Sequence, residues 1–161
     1  MAGLLCKIMT KGVRLPRRKT KEAAGFDLSA VKNVQIGPGE STIVGTGIAI
    51  KIPKGHYGQI KPRSSMAISG IIIDGGVIDA DYRGEIKMII ANRHKMNIAT
   101  IFAGDRIAQL LIIPIWTGEM HEVTELDKTK RGDQGFGSNS VNTVKVITEL
   151  KHNTQVENKH T

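Results

Sequence analysis

The residues best suited to chemistry lie in Gly75-Gly-Val-Ile-Asp-Ala-Asp-Tyr-Arg-Gly84, where Asp79, Asp81 and Tyr82 follow a glycine pair. A carboxylate held against water can act as a general base, and a tyrosine ring can pack under another ring. The flanking runs 71–73 and 86–91 are rich in Ile, which predicts a hairpin between two strands. Such a hairpin is either a solvated turn whose acids face water or one wall of a pocket.

In Lys61-Pro-Arg-Ser-Ser-Met-Ala67, Arg63, Ser64 and Ser65 stand at the mouth of a short helix expected over 64–69. Free backbone N–H groups, two hydroxyls and a guanidinium suit a phosphate there; an ordinary serine cap beside a surface arginine explains the same residues. Gln109 interrupts the apolar part of Gly104-Asp-Arg-Ile-Ala-Gln-Leu110, so its amide needs backbone or ligand partners. Asp105 and Arg106 beside it suit a turn or a subunit contact. The neighbours of Asp27 in Ala24-Gly-Phe-Asp-Leu-Ser-Ala30 imply burial, and a buried carboxylate must be paired or hydrogen-bonded. Arg131 and Phe136 in Arg131-Gly-Asp-Gln-Gly-Phe-Gly-Ser138 join a cation and an aromatic on a glycine-rich backbone, as a lid over a nucleotide requires.

The elements that must hold these residues are strands. Short β-branched runs at 4–9, 42–52, 57–61, 71–73, 86–91, 97–102 and 107–115 alternate with glycine- and proline-marked turns, which predicts an all-β sandwich or barrel. After Met120 charged residues dominate and hydrophobic periodicity fades, so a loop or arm is expected, with a polar tail over 141–161.

A chain of 161 residues fits one domain with a proper core. Its lone Cys6 excludes an internal disulfide, and its five histidines are too scattered for zinc-ligand spacing. No apolar run approaches the ~20 residues of a membrane span, and the first nine residues do not read as a signal peptide, so a soluble intracellular protein is expected. The net charge is +8, with Lys7, Lys11, Arg14, Arg17, Arg18, Lys19 and Lys21 crowded near the start. Among only six aromatics none is interleaved with that cluster. Direct nucleic-acid binding is therefore not expected, whereas attraction of small polyanions such as nucleotides fits the charge.

Taken in order, Ala24-Gly-Phe-Asp-Leu, Pro62-Arg-Ser-Ser, Gly76-Val-Ile-Asp-Ala-Asp-Tyr-Arg-Gly84, Gly104-Asp-Arg-Ile-Ala-Gln-Leu110 and Arg131-Gly-Asp-Gln-Gly-Phe-Gly-Ser138 resemble the five motifs of trimeric dUTPases. The resemblance implies a distorted jelly-roll-like β-barrel or sandwich with a short helix, assembled as a homotrimer whose sites draw on three subunits. It divides the chain into a β domain over 1–126, an arm over 127–140 that closes a neighbouring site, and the extension 141–161. The reaction it implies is hydrolysis of dUTP to dUMP and pyrophosphate, with Mg²⁺ on the triphosphate.

Carried onto this chain, the resemblance makes Asp79 the general base for water attacking the α-phosphate, and also an acceptor for the deoxyribose 3′-OH. Tyr82 packs under the sugar and excludes a 2′-OH. The backbone of Gly76, Val77 and Ile78, with that of Lys87, reads uracil. Arg63, Ser64, Ser65 and Gln109 become phosphate ligands, Ser64 nearest the bridging oxygen that leaves. Asp27 touches Mg²⁺ through a coordinated water. From the arm, Phe136 stacks on uracil, Arg131 and Ser138 engage phosphate, and Gly137 joins the substrate-binding set. This chain departs from the family's Gly-Phe-Gly-Ser-Thr-Gly at Asn139, which lacks the hydroxyl, and at Ser140, which lacks glycine's freedom; Ser65 also replaces a common glycine. Ile89 stands where a related dCTP deaminase would carry its glutamate, so deamination is not expected.

Overall fold

A computed structural model of the chain describes residues 3–135. Eleven strands and one short helix are present among them: β1 Leu5–Ile8, β2 Phe26–Ser29, β3 Val34–Ile36, β4 Ser41–Gly45, β5 Ile48–Lys51, β6 His56–Pro62, α1 Ser64–Ile68, β7 Ile71–Asp74, β8 Val77–Ile78, β9 Lys87–Asn92, β10 Ala99–Ile101 and β11 Arg106–Pro114. The all-β expectation with one short helix is borne out. Two larger sheets, ordered β2-β11-β6-β8 and β4-β9-β7, are joined by the ribbons β1-β5 and β3-β10, every pairing antiparallel. No sheet closes into a barrel among the described residues. No helix among them is long and apolar enough to cross a membrane.

Alternation explains the packing. In β9, Met88 and Ile90 point inward with no exposure while Lys87 and Ile89 face out, the period-2 pattern of a sheet with one covered face. Leu28, Ile60 and Leu110 from one sheet join Val44, Met88 and Ile90 from the other in a single apolar core. Full burial of each such side chain is worth ~1.5–3 kcal/mol. Cys6 on β1 packs against that core, and burial pushes its thiol pKa up, the environment of a structural rather than a reactive cysteine.

Three features differ from the expected elements. The run 42–52 is two strands, because the chain turns at Thr46-Gly47: Gly47 has φ +67°, and a Cβ there would lie 2.8 Å from Val31. The 75–84 segment is not the tip of a simple hairpin. β7 and β9 do pair, from Ile71↔Asn92 to Asp74↔Ile89, but between them β8 leaves for the other sheet and pairs with β6. β3 was also not expected, since three residues carry too little pattern to show a period.

The chain falls into two units, one ending at Glu119 and one beginning at Met120. In the second, residues 120–135 contain no helix or strand. Its best-defined feature is a turn in which the Gln134 N–H donates to the Arg131 carbonyl and Arg131 Nε donates to the Gln134 carbonyl.

Asn92 ties the first unit together from a buried position. Its Nδ2 donates to the carbonyls of Ile36 at 3.0 Å and Asn97 at 2.8 Å, and its Oδ1 accepts from the His94 N–H at 3.0 Å. Asn92→Ala strands these groups and is expected to cost about 2–3 kcal/mol. Urea unfolding should show a lower midpoint at unchanged m-value.

Candidate active site

β8 is the edge strand of its sheet, and the register decides which of its groups are free. The Ile60 N–H donates to the Gly76 carbonyl at 2.8 Å, and Gly58 pairs with Ile78. In an antiparallel ladder the intervening pair, Gln59 with Val77, is the non-hydrogen-bonded one, so the Val77 N–H and carbonyl point away from β6. A donor and an acceptor on one residue thus face outward. Gly76 makes this approach possible: its φ is +90°, and a Cβ would lie 2.9 Å from the Ile60 carbonyl oxygen. The close approach of the glycine pair is to β6.

Beyond β8 the loop is held by its own side chains. The Tyr82 N–H donates to the Asp79 carbonyl, the Tyr82 hydroxyl donates to the Glu85 carbonyl at 3.0 Å, and Arg83 Nη1 donates to the carbonyls of Ala80 and Tyr82. The Tyr82 ring covers Gly84, where a Cβ would sit 2.4 Å from the hydroxyl oxygen, so Gly84 fits no larger residue without moving that ring. Asp79, Asp81 and Tyr82 are exposed in this chain. Two residues that anchor the loop escaped the sequence reading. Glu85 accepts the Gly47 N–H at 2.9 Å, and the buried Thr46 hydroxyl donates to the Ile86 carbonyl at 2.6 Å. The only signal was an acid beside a buried isoleucine, opposite a Gly-Thr-Gly turn.

A second cluster forms across β2, β11 and the start of α1. Asp27 is opposite Gln109, and Gln109 is opposite Lys61. The half-buried Asp27 carboxylate is bridged by Arg63 Nε at 3.5 Å and Arg106 Nη1 at 3.2 Å, which meets the requirement for a paired carboxylate. Arg63 Nη1 also donates to the Arg106 carbonyl at 3.1 Å. Gln109 Nε2 donates to the Pro62 carbonyl at 3.3 Å, and its side chain fills the space over Gly25. Asp105 holds the turn by accepting the Phe102 N–H at 2.9 Å. Ser64 and Ser65 are exposed on the single turn of α1, whose N-cap is Arg63.

These clusters lie at opposite ends of β6. Asp79 leaves the sheet beside Gly58, and Arg63 follows Pro62 five residues on. Extended chain of that length spans roughly 17 Å. Arg131 belongs to the second unit, and Phe136, Gly137 and Ser138 lie outside the described residues.

The dUTPase family model matches residues 11–140. This chain belongs to the dUTPase family. It is 46% identical over 129 residues to the deoxyuridine 5′-triphosphate nucleotidohydrolase of vaccinia virus, covering 80% of this chain and 87% of that one. The monkeypox virus enzyme of the same name is equally similar, at 85% of its length. Among solved structures, the dUTPase of Staphylococcus bacteriophage 80alpha with dUpNHpp superposes with a TM-score of 0.83 at 32% identity, covering 88% of this chain and all of that one. A variant dUTPase of phage phi11 of S. aureus, described as revealing coordination of a structural Mg(II) ion, has a TM-score of 0.74 at 27% identity, covering 79% of this chain and all of that one.

For this dUTPase chain the donor set bears on the expected Mg²⁺. Among the described residues no group of three His, Cys, Asp or Glu side chains could hold a metal. Asp27, already bridged by two arginines, fits a contact through water better than direct ligation.

Gly76→Ala forces a side chain into positive φ and against β6, so it is expected to destabilise the fold by more than ~1 kcal/mol. It should also weaken nucleotide binding by displacing the Val77 edge. Thermal unfolding and titration with a nonhydrolysable nucleotide check the two effects separately.

Proposed function

We propose that the chain hydrolyses dUTP to dUMP and pyrophosphate, limiting uracil incorporation into DNA and supplying dUMP for thymidylate synthesis. The observation that carries the uracil assignment is the free edge at Val77: one outward N–H and one outward carbonyl match the adjacent acceptor and donor of uracil. Gly76 and Ile78, whose backbone groups turn toward β6, flank that edge, the backbone of Lys87 completes the wall, and Tyr82 lies under the sugar, where it leaves no space for a 2′-OH. Arg63, Ser64, Ser65 and Gln109 bind the phosphates. With Arg131, and with Phe136, Gly137 and Ser138 outside the described residues, the 127–140 arm closes a neighbouring site, and 141–161 is a polar extension.

In the reaction, Asp79 orients water and accepts its proton as the water oxygen bonds to the α-phosphorus. The bond from that phosphorus to the bridging oxygen breaks, and pyrophosphate departs with Ser64 donating to that oxygen and Arg63 countering the charge. Bound Mg²⁺ would neutralise and shape the triphosphate, held toward Asp27 through water. A carboxylate is a weak base at neutral pH, so its position carries much of the effect.

The roughly 17 Å of extended chain between Gly58 and Arg63 supports a site shared between copies, because Asp79 and Ser64 must both reach one α-phosphate. Apolar surface on the single chain supports a homotrimer as well. Ile43 and Ile89, register partners on the outer face of β4 and β9, are 60% and 42% exposed, and Trp116 is 78% exposed. The lone cysteine suits a reducing intracellular compartment.

Pyrophosphate release should be selective for dUTP over UTP, dTTP and dCTP. Asp79→Asn should lower kcat by at least ~100-fold with little change in KM. Equal activity in that variant would remove Asp79 from its role. Co-refolding Asp79→Asn with Arg63→Ala should restore activity above either variant alone, since mixed trimers contain some sites with both native groups. No recovery would mean that one chain supplies both.

A further inference from the structure

The basic segment near the start of the chain has no role in the site described above. Lys11, Arg14, Arg17, Arg18, Lys19 and Lys21 are all exposed, and none forms an ion pair with a described residue. Arg18 instead lies 4.7 Å from the Phe26 ring centre. The segment is pinned rather than loose: the Met9 N–H donates to the Gly47 carbonyl, the Val13 N–H to the Thr10 carbonyl and the Asp27 N–H to the Arg17 carbonyl. Between it and β2 lies a cavity of about 1080 Å³ whose lining includes Lys11, Arg14, Arg17, Arg18, Lys19 and Arg106. The one carboxylate on that lining, Asp27, is already bridged by Arg63 and Arg106. A smaller cavity of about 370 Å³ shares Gly104 and Arg106 with the first and reaches Arg63. The second lining also carries Asp105, whose carboxylate accepts the Phe102 N–H, and the cations on the two linings run from the basic segment through Arg106 to Arg63.

We propose that this cleft is a capture site for the linked phosphates of the incoming nucleotide, which binds the triphosphate chain before transfer along Arg106 to Arg63. This rests on the dUTP reading for its substrate, and for its physics on held cations, of which Lys11, Arg14, Arg17, Arg18 and Lys19 form no ion pair among the described residues, beside a low-dielectric wall: such a cleft concentrates anions and raises association rates by 10-fold or more at low salt. With one aromatic nearby, already covered by Arg18, the cleft recognises phosphate charge and no base.

The test is the triple variant Lys11→Glu, Arg14→Glu, Lys19→Glu, with the corresponding triple glutamine variant as a milder control. At low ionic strength kcat/KM for dUTP should fall about 10-fold in the first and less in the second, with kcat unchanged. The difference should vanish near 0.5 M salt, where screening acts within a few ångströms. In an Arg63→Ala background, calorimetric titration with inorganic tripolyphosphate should show binding that the charge reversal weakens about 10-fold. Unchanged kcat/KM at low salt, a loss that persists at high salt, or unchanged tripolyphosphate affinity overturns the proposal. If the native chain does not hydrolyse dUTP, the tripolyphosphate titration still decides the cleft by itself.

Discussion

β6 is paired along both edges, and this constraint organises the molecule. One edge carries β11 over seven residue pairs, from Ala108↔Pro62 to Pro114↔His56, and the other carries β8 over two. A strand's backbone groups alternate between its edges, so a central strand fixes the register of both neighbours. β11 in turn sets Gln109 opposite Asp27, while β8 sets Val77 on the open edge and Asp79 beyond it. The Asp27–Arg63–Gln109 cluster and the Val77–Asp79 segment are therefore held apart along β6.

Core packing fixes that separation from within: Gly58 and Ile60 on β6 are buried, and a Cβ on Gly58 would lie 3.1–3.2 Å from Leu110, Ile52 and Ile78. Ile43 and Ile89 stand exposed as register partners on the outer face of β4 and β9, apolar surface that the core of one chain does not cover.

The groups within each cluster are held by hydrogen bonds and ion pairs, some local and some between distant parts of the chain. Tyr82, Arg83 and Glu85 satisfy the backbone of their own loop, and Glu85 and Thr46 tie that loop to the β4–β5 corner. Asp27 stands between two arginines and offsets part of their mutual repulsion. Positioning of this kind costs no reorganisation when charge develops, which is what makes preorganised donors effective.

Much of this was legible in the residues themselves. Ile-rich alternation marked most strands and their buried faces, the Arg63-Ser64-Ser65 string marked the helix start, and motif order marked the family. The neighbours of Asp27 correctly implied that its carboxylate must be paired, because burying a charge has a cost that local composition reveals. Sequence by itself left the partners open. That Asp27 meets Arg63 and Arg106, that β8 abandons its hairpin for β6, and that Val77 turns its backbone outward were decided only by tertiary structure. Strand pairing joins residues far apart in the chain, and a two-residue strand has too short a pattern to announce which edge it will take.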